Sequence, residues 1–526
     1  MSYINTLHKL VSTLTPEEYA RFLAEFQKNP GRPGRCPSVA KALLENIREG
    51  KYARLTKEDN ASTEDSAFSM QCKRLLEDLL DFLAHHDNIP PADIIGPVAL
   101  AKITVKKLFV FYQILGMRGL YHEAIDTLNK ILELCEEFEL YEDGIHALGD
   151  LTNLYSSMND LKNYQRVTEK LHEFSRHFDA YRKALQIYNA SGLRVVFRPD
   201  SQVTDPEFEK DLNQLRQLYQ EYNRPRIAWF YHQLAIRAHL IKKEYQQAEE
   251  LGYQLMEIQK NSPSIGADSM LGATYNMIAH AQMHRFRFSY ALESCYQAQY
   301  YFRHNRINLA MAKELEFLCR LYTNRLDKAE HLLDEILSYT SEKSEKFKWA
   351  FRHYLKACLY FAMGDFARAN KILVMEVQEI DKDREGYNIN SRILDIIVLI
   401  ENQMWDVVGM KINSFKKHMG RLVKEGHVNQ RYFKIFSLLF DLQENLFDFK
   451  KVWRTRQDTC RELASTDVEP MAWQILTSEV IPFHVWFESK VHGAPFHDVL
   501  EKYFQSRREP DVYFLEPTSK SKIRQT

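Results

Sequence analysis

Two histidines one helical turn apart have the residue type and the spacing that metal chemistry requires. His280 and His284 are four positions apart, so both imidazoles would project from one face of a helix. Zinc proteases with this spacing place a glutamate directly after the first histidine, but Ala281 stands there, and the sequence shows no third ligand. We therefore predict no metal site and interpret the pair as histidines that face a ligand or are satisfied internally.

The motifs that carry catalysis in other folds are missing from the sequence. It contains neither the glycine-rich phosphate loop nor the dinucleotide-binding glycine pattern, and it has no serine nucleophile elbow. His172 and His177 are five positions apart, which turns their imidazoles about 140° away from each other around a helix. We therefore predict no catalytic residues, no cofactor and a protein that is not an enzyme.

Cationic and aromatic residues alternate in two stretches, and this pattern could bind nucleic acid by stacking on bases and pairing with phosphates. The stretches contain His284, Arg285, Phe286, Arg287, Tyr301, Phe302, Arg303, His304 and Arg306, then Lys346, Phe347, Lys348, Trp349 and Arg352. Phe286 and Phe288 also belong to a repeated turn between helices, which assigns the aromatic rings to the core. Core packing is therefore the favoured interpretation, and nucleic-acid binding remains the alternative.

The charge and apolar content argue against a membrane protein or a polyanion-binding protein. The 526 residues are 45% hydrophobic and 27% charged, with a formal net charge of -1. The most apolar run is the short stretch 393–400, which contains Asp395, whereas a membrane span needs about 20 apolar residues. The first fifteen residues lack the apolar core of a secretion signal. We expect a cytoplasmic protein without a membrane segment.

Seven cysteines are spaced far apart, and most of them lie in apolar helical stretches. An odd number with such spacing is typical of reduced core residues rather than of a disulfide framework. They are Cys36, Cys72, Cys135, Cys295, Cys319, Cys358 and Cys460.

A recurring turn is the feature that must position any binding residues. It consists of a small or polar residue, any residue, an aromatic residue or leucine, two more residues, and a small apolar residue. The clearest copies are residues 119–124 (GLYHEA) and 364–369 (GDFARA), and weaker copies begin at Lys243, Phe286 and Asn324. The aromatic side chain fills the gap between two antiparallel helices, and the alanine lets the helices approach closely. Each turn therefore marks a helix pair.

The turns recur with a period near 40 residues. Their last residues are Ala124, Tyr164, Ala248, Ala291, Ala329, Ala369, Val408 and Val452. Intervals from Ala248 onward are 43, 38, 40, 39 and 44 residues, and the interval of 84 before Ala248 predicts one degenerate pair around residues 181–222.

With these turns the sequence resembles the tetratricopeptide repeat (TPR) superfamily, with helices longer than in the usual unit of about 34 residues. HEAT and armadillo repeats have similar periods, but they do not predict a glycine-x-aromatic turn. The stretch 7–26 is also similar to the start of uncharacterised bacterial TPR-like proteins. The resemblance, over residues 99–463, implies an all-α protein whose main body is a right-handed α-solenoid of about nine TPR-like helix pairs.

The predicted organisation has four parts. Thr15, Pro16 and Glu18 form the signature of a capped helix start within an N-terminal helical domain, residues 1–95. The prolines between residues 90 and 97 mark a linker. The solenoid follows at 96–465, then a C-terminal helical cap at 466–505 that closes its last open face, and a disordered tail at 506–526.

The resemblance also implies where a partner binds, because the first helix of each TPR-like pair lines the concave surface. It places Asn153, Gln233, Arg237, Asn276, His280, His284 and Tyr354 on that surface. Such polar side chains hold the backbone of a peptide, and apolar neighbours such as Phe230 and Met277 accept its side chains. Simple solvent exposure is the alternative interpretation of each residue.

Two classes of function agree with this surface. A scaffold or adaptor would bind a protein or a peptide there, whereas a regulatory receptor would sense a short peptide or nucleic acid. An attached DNA-binding domain would favour the receptor, but residues 1–88 contain no basic recognition helix. We therefore favour the scaffold.

Overall fold

The computed structural model divides into two compact units, Met1–Gly96 and Pro97–Thr526. Every element of its described part is helical, with no strand, which confirms the predicted all-helical class. The described residues are parts of 7–82, of which 14–28 is the longest, and then 95–197, 206–339, 346–380, 386–424, 429–465 and 471–507. The predicted disordered tail lies outside these residues, apart from its first two positions.

The first unit contains the capped helix that the sequence predicts. Helix α1 (Pro16–Lys28) begins directly after Thr15. The Thr15 N–H donates to Glu18 Oε2 at 2.8 Å, and the Glu18 N–H donates to Thr15 Oγ1 at 3.1 Å. This reciprocal pair satisfies two N–H groups that an isolated helix end leaves without partners.

The second unit is a succession of antiparallel helices. Its first helices are α2 (Pro97–Met117), α3 (Tyr121–Glu137), α4 (Tyr141–Ser157), α5 (Leu161–Phe197), α6 (Pro206–Tyr222), α7 (Pro225–Ile241) and α8 (Tyr245–Lys260). After the 3₁₀ turn Pro263–Ile265 come α9 (Asp268–His284), α10 (Phe288–Phe302), α11 (Arg306–Tyr322), the 3₁₀ turn Leu326–Lys328, α12 (Ala329–Ser338), α13 (Lys346–Ala362) and α14 (Phe366–Met375). The last are α15 (Tyr387–Glu401), α16 (Trp405–Lys424), α17 (Gln430–Glu444), α18 (Phe449–Thr455), α19 (Gln457–Ala464), α20 (Phe483–His492) and α21 (Phe496–Gln505).

The predicted turns share one backbone conformation. The residue five positions before the end of each predicted copy has a left-handed φ between 55° and 75° at residues 119, 159, 243, 286, 324, 364 and 403. The next N–H donates to the carbonyl five residues earlier, as from Asp365 to Tyr360 at 2.9 Å, which closes the end of the preceding helix. The last copy is one residue longer, with left-handed φ at both Leu446 and Phe447.

Left-handed backbone explains why the copies differ in sequence. Glycine adopts it without strain and asparagine at small cost, whereas Lys243, Phe286 and Gln403 adopt it against their intrinsic preference. The surrounding packing must therefore impose the turn at these three residues, and a glycine pattern alone misses them.

The predicted degenerate pair shares its first helix with the helix pair before it. Helix α5 continues for 37 residues. Its first half places Val167 and Phe174 in one core cluster with residues of α2, α3 and α4, and its second half places Ala184 and Ile187 in another with residues of α6 and α7. One helix therefore serves two neighbouring helix pairs.

Helix α5 and the helices that precede the later repeated turns also pack on each other. Contacts join α5 to α7, α7 to α9, α9 to α11, and α13 to α15. We call the surface formed by these helices and α17 the first-helix surface. Six of the seven predicted binding residues lie on it, and Asn153 lies on α4.

Residues 471–507, which we call the C-terminal segment, do more than cap the last helix pair. An irregular stretch, 471–482, precedes α20 and α21. Phe504 of α21 lies 5.2 Å from Phe286 and 4.9 Å from Phe288, between ring centroids. The segment therefore reaches back along the chain as far as the turn after α9.

The five cysteines within the described residues are free and buried, as predicted. Burial raises the pKa of Cys135 and of Cys460 to about 12, so both thiols are neutral near pH 7. Cys36 and Cys72 lie outside the described residues. Within the described part of the chain, the helices are too short or too polar to cross a membrane.

Candidate partner-binding surface

Tyr354 was predicted to face a partner, and the structure corrects this prediction. The side chain lies on α13 with 1% of its surface exposed, and its hydroxyl donates to the carbonyl of Ser478 at 2.8 Å. The C-terminal segment covers this part of the first-helix surface, so Tyr354 is already occupied by the chain itself.

The irregular stretch 471–482 is held mainly through its backbone carbonyls. Tyr322 on α11 donates to the carbonyl of Val480 at 3.1 Å, as Tyr354 does to Ser478. Arg431 on α17 donates to the carbonyl of Met471 at 2.5 Å. The stretch is therefore held by hydrogen bonds from tyrosine hydroxyl and arginine guanidinium groups on α11, α13 and α17. It forms no regular secondary structure of its own.

A buried ion pair anchors the same stretch. Arg431 and Glu479 are each 4% exposed in their side chains, and they form two hydrogen bonds of 2.6 and 2.8 Å. The pKa of Arg431 is raised despite its desolvation, because the Glu479 carboxylate stabilises the charged guanidinium. A buried pair with this bidentate geometry fixes the register of the segment.

Helices α20 and α21 complete the cover. Trp486 Nε1 and Lys490 Nζ both donate to the Glu401 carboxylate at the end of α15, at 2.7 and 2.9 Å. His497 lies within 3.1 Å of the carbonyl of Ala362 at the end of α13. We call α11, α13, α15 and α17 the covered surface.

The first-helix surface on α5, α7 and α9 lacks this cover. No hydrogen bond, ion pair or ring contact joins the described residues of the C-terminal segment to these three helices. We call it the open surface. It carries five of the seven predicted binding residues: Gln233, Arg237, Asn276, His280 and His284.

Gln233 and Asn276 occupy the same repeat position as Tyr354. Each of the three residues lies ten positions before a left-handed turn residue, at Lys243, Phe286 and Gly364 respectively. Gln233 is buried with 2% exposure and Asn276 is half-buried. Gln233 Nε2 and Asn276 Oδ1 have no hydrogen-bond partner among the described residues. The position that binds Ser478 on the covered surface is thus unpaired on the open surface.

His280 and His284 form a stripe with Asn276 on α9, at intervals of four residues. Burial lowers the pKa of His280 to about 4 and that of His284 to about 3, the latter helped by the charges of His280 and Lys243. The His284 ring stacks on Tyr245 with 4.4 Å between centroids. Both imidazoles are therefore neutral near pH 7 and act as hydrogen-bonding groups rather than as cations.

The two other predicted residues are more accessible. Asn153 is exposed on α4, and Arg237 is half-buried on α7, with its Cζ 6.0 Å from the centroid of the Tyr188 ring. Asn153 lies outside the open surface and is not brought next to the residues of α7 and α9 by any described contact.

Glu139 has a role that the sequence analysis did not predict. Glu139 is 4% exposed and accepts hydrogen bonds from Tyr141 Oη at 2.6 Å, from the Arg226 N–H at 2.9 Å and from Ser264 Oγ at 3.0 Å. It therefore caps the N-terminus of α7, where no local side chain does. Only its separation from the flanking acids by the turn could have signalled this role.

The basic and aromatic stretches are largely occupied by internal contacts. Arg285 and Arg287 are buried and paired with Glu249 at 2.5 and 3.1 Å, and Arg352 pairs with Glu314. Tyr301 stacks on Tyr275 with centroids 5.7 Å apart. These three arginines and Tyr301 are thus bound within the protein, whereas His304, Arg306 and Lys346 of the same stretches are exposed.

The described residues contain no group of three or more His, Cys, Asp or Glu side chains that could hold a metal ion.

The sequence matches none of the protein-family models, and a search of curated proteins finds no match. The resemblance to TPR proteins stays a prediction.

Proposed function

We propose that the protein is a non-catalytic scaffold or adaptor that binds a segment of another protein on the open surface of α5, α7 and α9. In this proposal the second unit is a right-handed α-solenoid of about nine TPR-like helix pairs. Left-handed turns at intervals near 40 residues and the side-by-side packing of first helices support that architecture.

One observation carries the functional proposal. Tyr354 binds a backbone carbonyl of an irregular segment, and the equivalent Gln233 and Asn276 have polar atoms without protein partners. A buried polar group without a partner costs about 1–3 kcal/mol, so a partner that satisfies it gains that free energy on binding. On the covered surface, a side chain at this position binds the backbone of an irregular segment of the same chain. We propose that the open surface binds a segment of a partner in the same way.

Affinity capture followed by cross-linking tests this proposal. The full chain is incubated with native lysate with and without nuclease, and captured proteins are cross-linked and mapped by mass spectrometry. We expect nuclease-resistant partners whose cross-links concentrate on α5, α7 and α9. The Asn276→Leu, His280→Ala double variant should lose them.

A matched control is Gln297→Leu on α10, away from the first-helix surface. It should retain the partners, and circular dichroism should show that all variants are folded. Partners that are lost on nuclease treatment, or that cross-link only outside the open surface, would contradict the proposal.

A further inference from the structure

Three polar residues of α7 form one stripe. Arg226, Gln233 and Arg237 are separated by seven and four residues, which places them within about 40° of each other around the helix. Arg226 and Arg237 are half-buried, and Gln233 lies between them along the helix. The stripe therefore presents two guanidinium groups on either side of an unpaired amide.

Two tyrosines of α5 hold the guanidinium groups in place. Tyr181 and Tyr188 are seven residues apart, so they also share one face. Arg226 Cζ lies 5.5 Å from the Tyr181 ring centroid, and Arg237 Cζ lies 6.0 Å from that of Tyr188. A guanidinium over an aromatic face keeps its N–H edge available for a carboxylate.

These two arginines differ from the other buried or half-buried arginines near them. Arg224 pairs with Glu173, and Arg285 and Arg287 pair with Glu249. Within the described part of the chain, no carboxylate lies within ion-pair distance of the Arg226 or Arg237 side chain. The Arg226 and Arg237 side chains therefore form no ion pair with the described residues, although the Glu139 carboxylate accepts a hydrogen bond from the Arg226 backbone N–H.

We infer that the open surface recognises an acidic, non-helical segment of a partner protein, with one carboxylate on Arg226 and a second on Arg237. This inference rests on the proposed function and specifies the partner. Eleven residues of helix span about 16 Å, and an extended chain covers that distance in about five residues. Between the carboxylates, the Gln233 amide donates to a backbone carbonyl of the segment after a rotation of its side chain.

An acidic protein segment fits this surface better than a nucleic acid. A polynucleotide presents closely spaced phosphates and is bound by a continuous track of cations. Here the two cations are eleven residues apart on α7, and the Glu139 carboxylate near Arg226 is buried. Two widely separated cations suit two separate carboxylates better than a row of closely spaced phosphates.

A peptide array tests the inference. Capped 12-residue peptides of alanine, serine and threonine carry two glutamates separated by two to eight residues, with glutamine and lysine versions as references. Fluorescence anisotropy with the full chain should show the tightest binding at a separation of about five residues. Binding should weaken with salt, because it depends on exposed charges.

Variants assign the carboxylates to the two arginines. Arg226→Gln and Arg237→Gln should each weaken binding by about three- to tenfold, and the double variant by more. Arg182→Gln, which removes an exposed arginine of α5 that lies over Phe178, should leave binding unchanged.

Each other outcome overturns the inference. Equal binding of the glutamine peptides, stronger binding of the lysine peptides, or no binding to the array would show that the segment is not acidic. Tighter binding of a single-stranded oligonucleotide that depends on Arg226 and Arg237 would replace the peptide by nucleic acid. The proposed function fails separately, when partners captured from lysate do not cross-link to the open surface.

Discussion

The covered and open surfaces differ in what lies on them, although both are built from first helices and left-handed turns. On the covered surface, Tyr354 donates to Ser478 and Arg431 pairs with Glu479. On the open surface, Gln233 and Asn276 have unpaired polar atoms among the described residues. The comparison teaches that one helix position is hydrogen-bonded within the chain in one half of the unit and is unpaired among the described residues in the other.

The sequence of the two surfaces explains the difference. Six residues before each turn residue, the covered surface has the buried Leu318, Cys358 and Ile397. At the same position of the open surface, Arg237 and His280 are polar. Apolar residues there attract the aromatic C-terminal segment, because burial of apolar surface stabilises by about 25 cal/mol per Å². Polar residues leave the surface open.

The largest expected effect comes from removing the buried ion pair between Arg431 and Glu479, which holds the C-terminal segment on the covered surface. Glu479→Gln leaves the Arg431 guanidinium buried without its counter-charge, which should lower the free energy of unfolding by about 3–5 kcal/mol. Urea denaturation measures it. Asp441→Asn removes an ion pair with the more exposed Arg456 and should cost less than about 1 kcal/mol. Equal losses in the two variants would show that the cover is not anchored by this pair.

The second-largest expected effect concerns the packing of α4, which lies outside the covered surface. A Cβ at Gly144 would lie 2.4 Å from Phe174 Cε1, so Gly144→Ala should cost about 1–3 kcal/mol. A Cβ at Gly149 meets no atom within 4 Å, and Gly149→Ala should stabilise α4 by up to about 1 kcal/mol. Thermal denaturation distinguishes the two signs, and a neutral Gly144→Ala would indicate loose packing beside the open surface.

Acidification should destabilise the open surface through its histidines. Because folding lowers the pKa of His280 from 6.5 to about 4, the unfolded chain binds the proton first as the pH falls. The neutral His280 therefore contributes its full stabilisation above pH 6.5. As the pH falls from 6.5 toward 4, the free energy of unfolding decreases by up to about 1.4 kcal/mol per pH unit. His280→Gln should flatten unfolding free energy between pH 6.5 and 5, whereas the exposed His304→Gln should not.

The smallest effect compares equivalent residues directly. Tyr354→Phe removes the hydrogen bond to Ser478 and should cost about 0.5–1.5 kcal/mol. Gln233→Met removes an unpaired buried amide and should be neutral or stabilising. Chemical denaturation measures the free energy of unfolding of both variants. A similar decrease in each would mean that the Gln233 amide has a hydrogen-bond partner in solution.

Much of the fold could be predicted because its signals are local. The turns at Gly119 and Gly364 and the capping box at Thr15 were read directly from neighbouring residues. Exposure of the binding residues was harder to predict. Tyr354 and Gln233 share a repeat position with a correct helical register, yet both are buried, one under the C-terminal segment and one between helices. A repeat pattern fixes the face of a helix but not what covers that face.

By itself, the sequence determined the helices, their turns and the polarity of each repeat position, because these depend on residues within a few positions of one another. Tertiary structure decided which distant groups meet. Glu139 caps α7 through Arg226, 87 residues away, and Ser478 reaches Tyr354 across 124 residues. Such contacts depend on how helices that are distant in the sequence pack together, which no short stretch of sequence specifies. In this protein that packing places the C-terminal segment over one part of the first-helix surface.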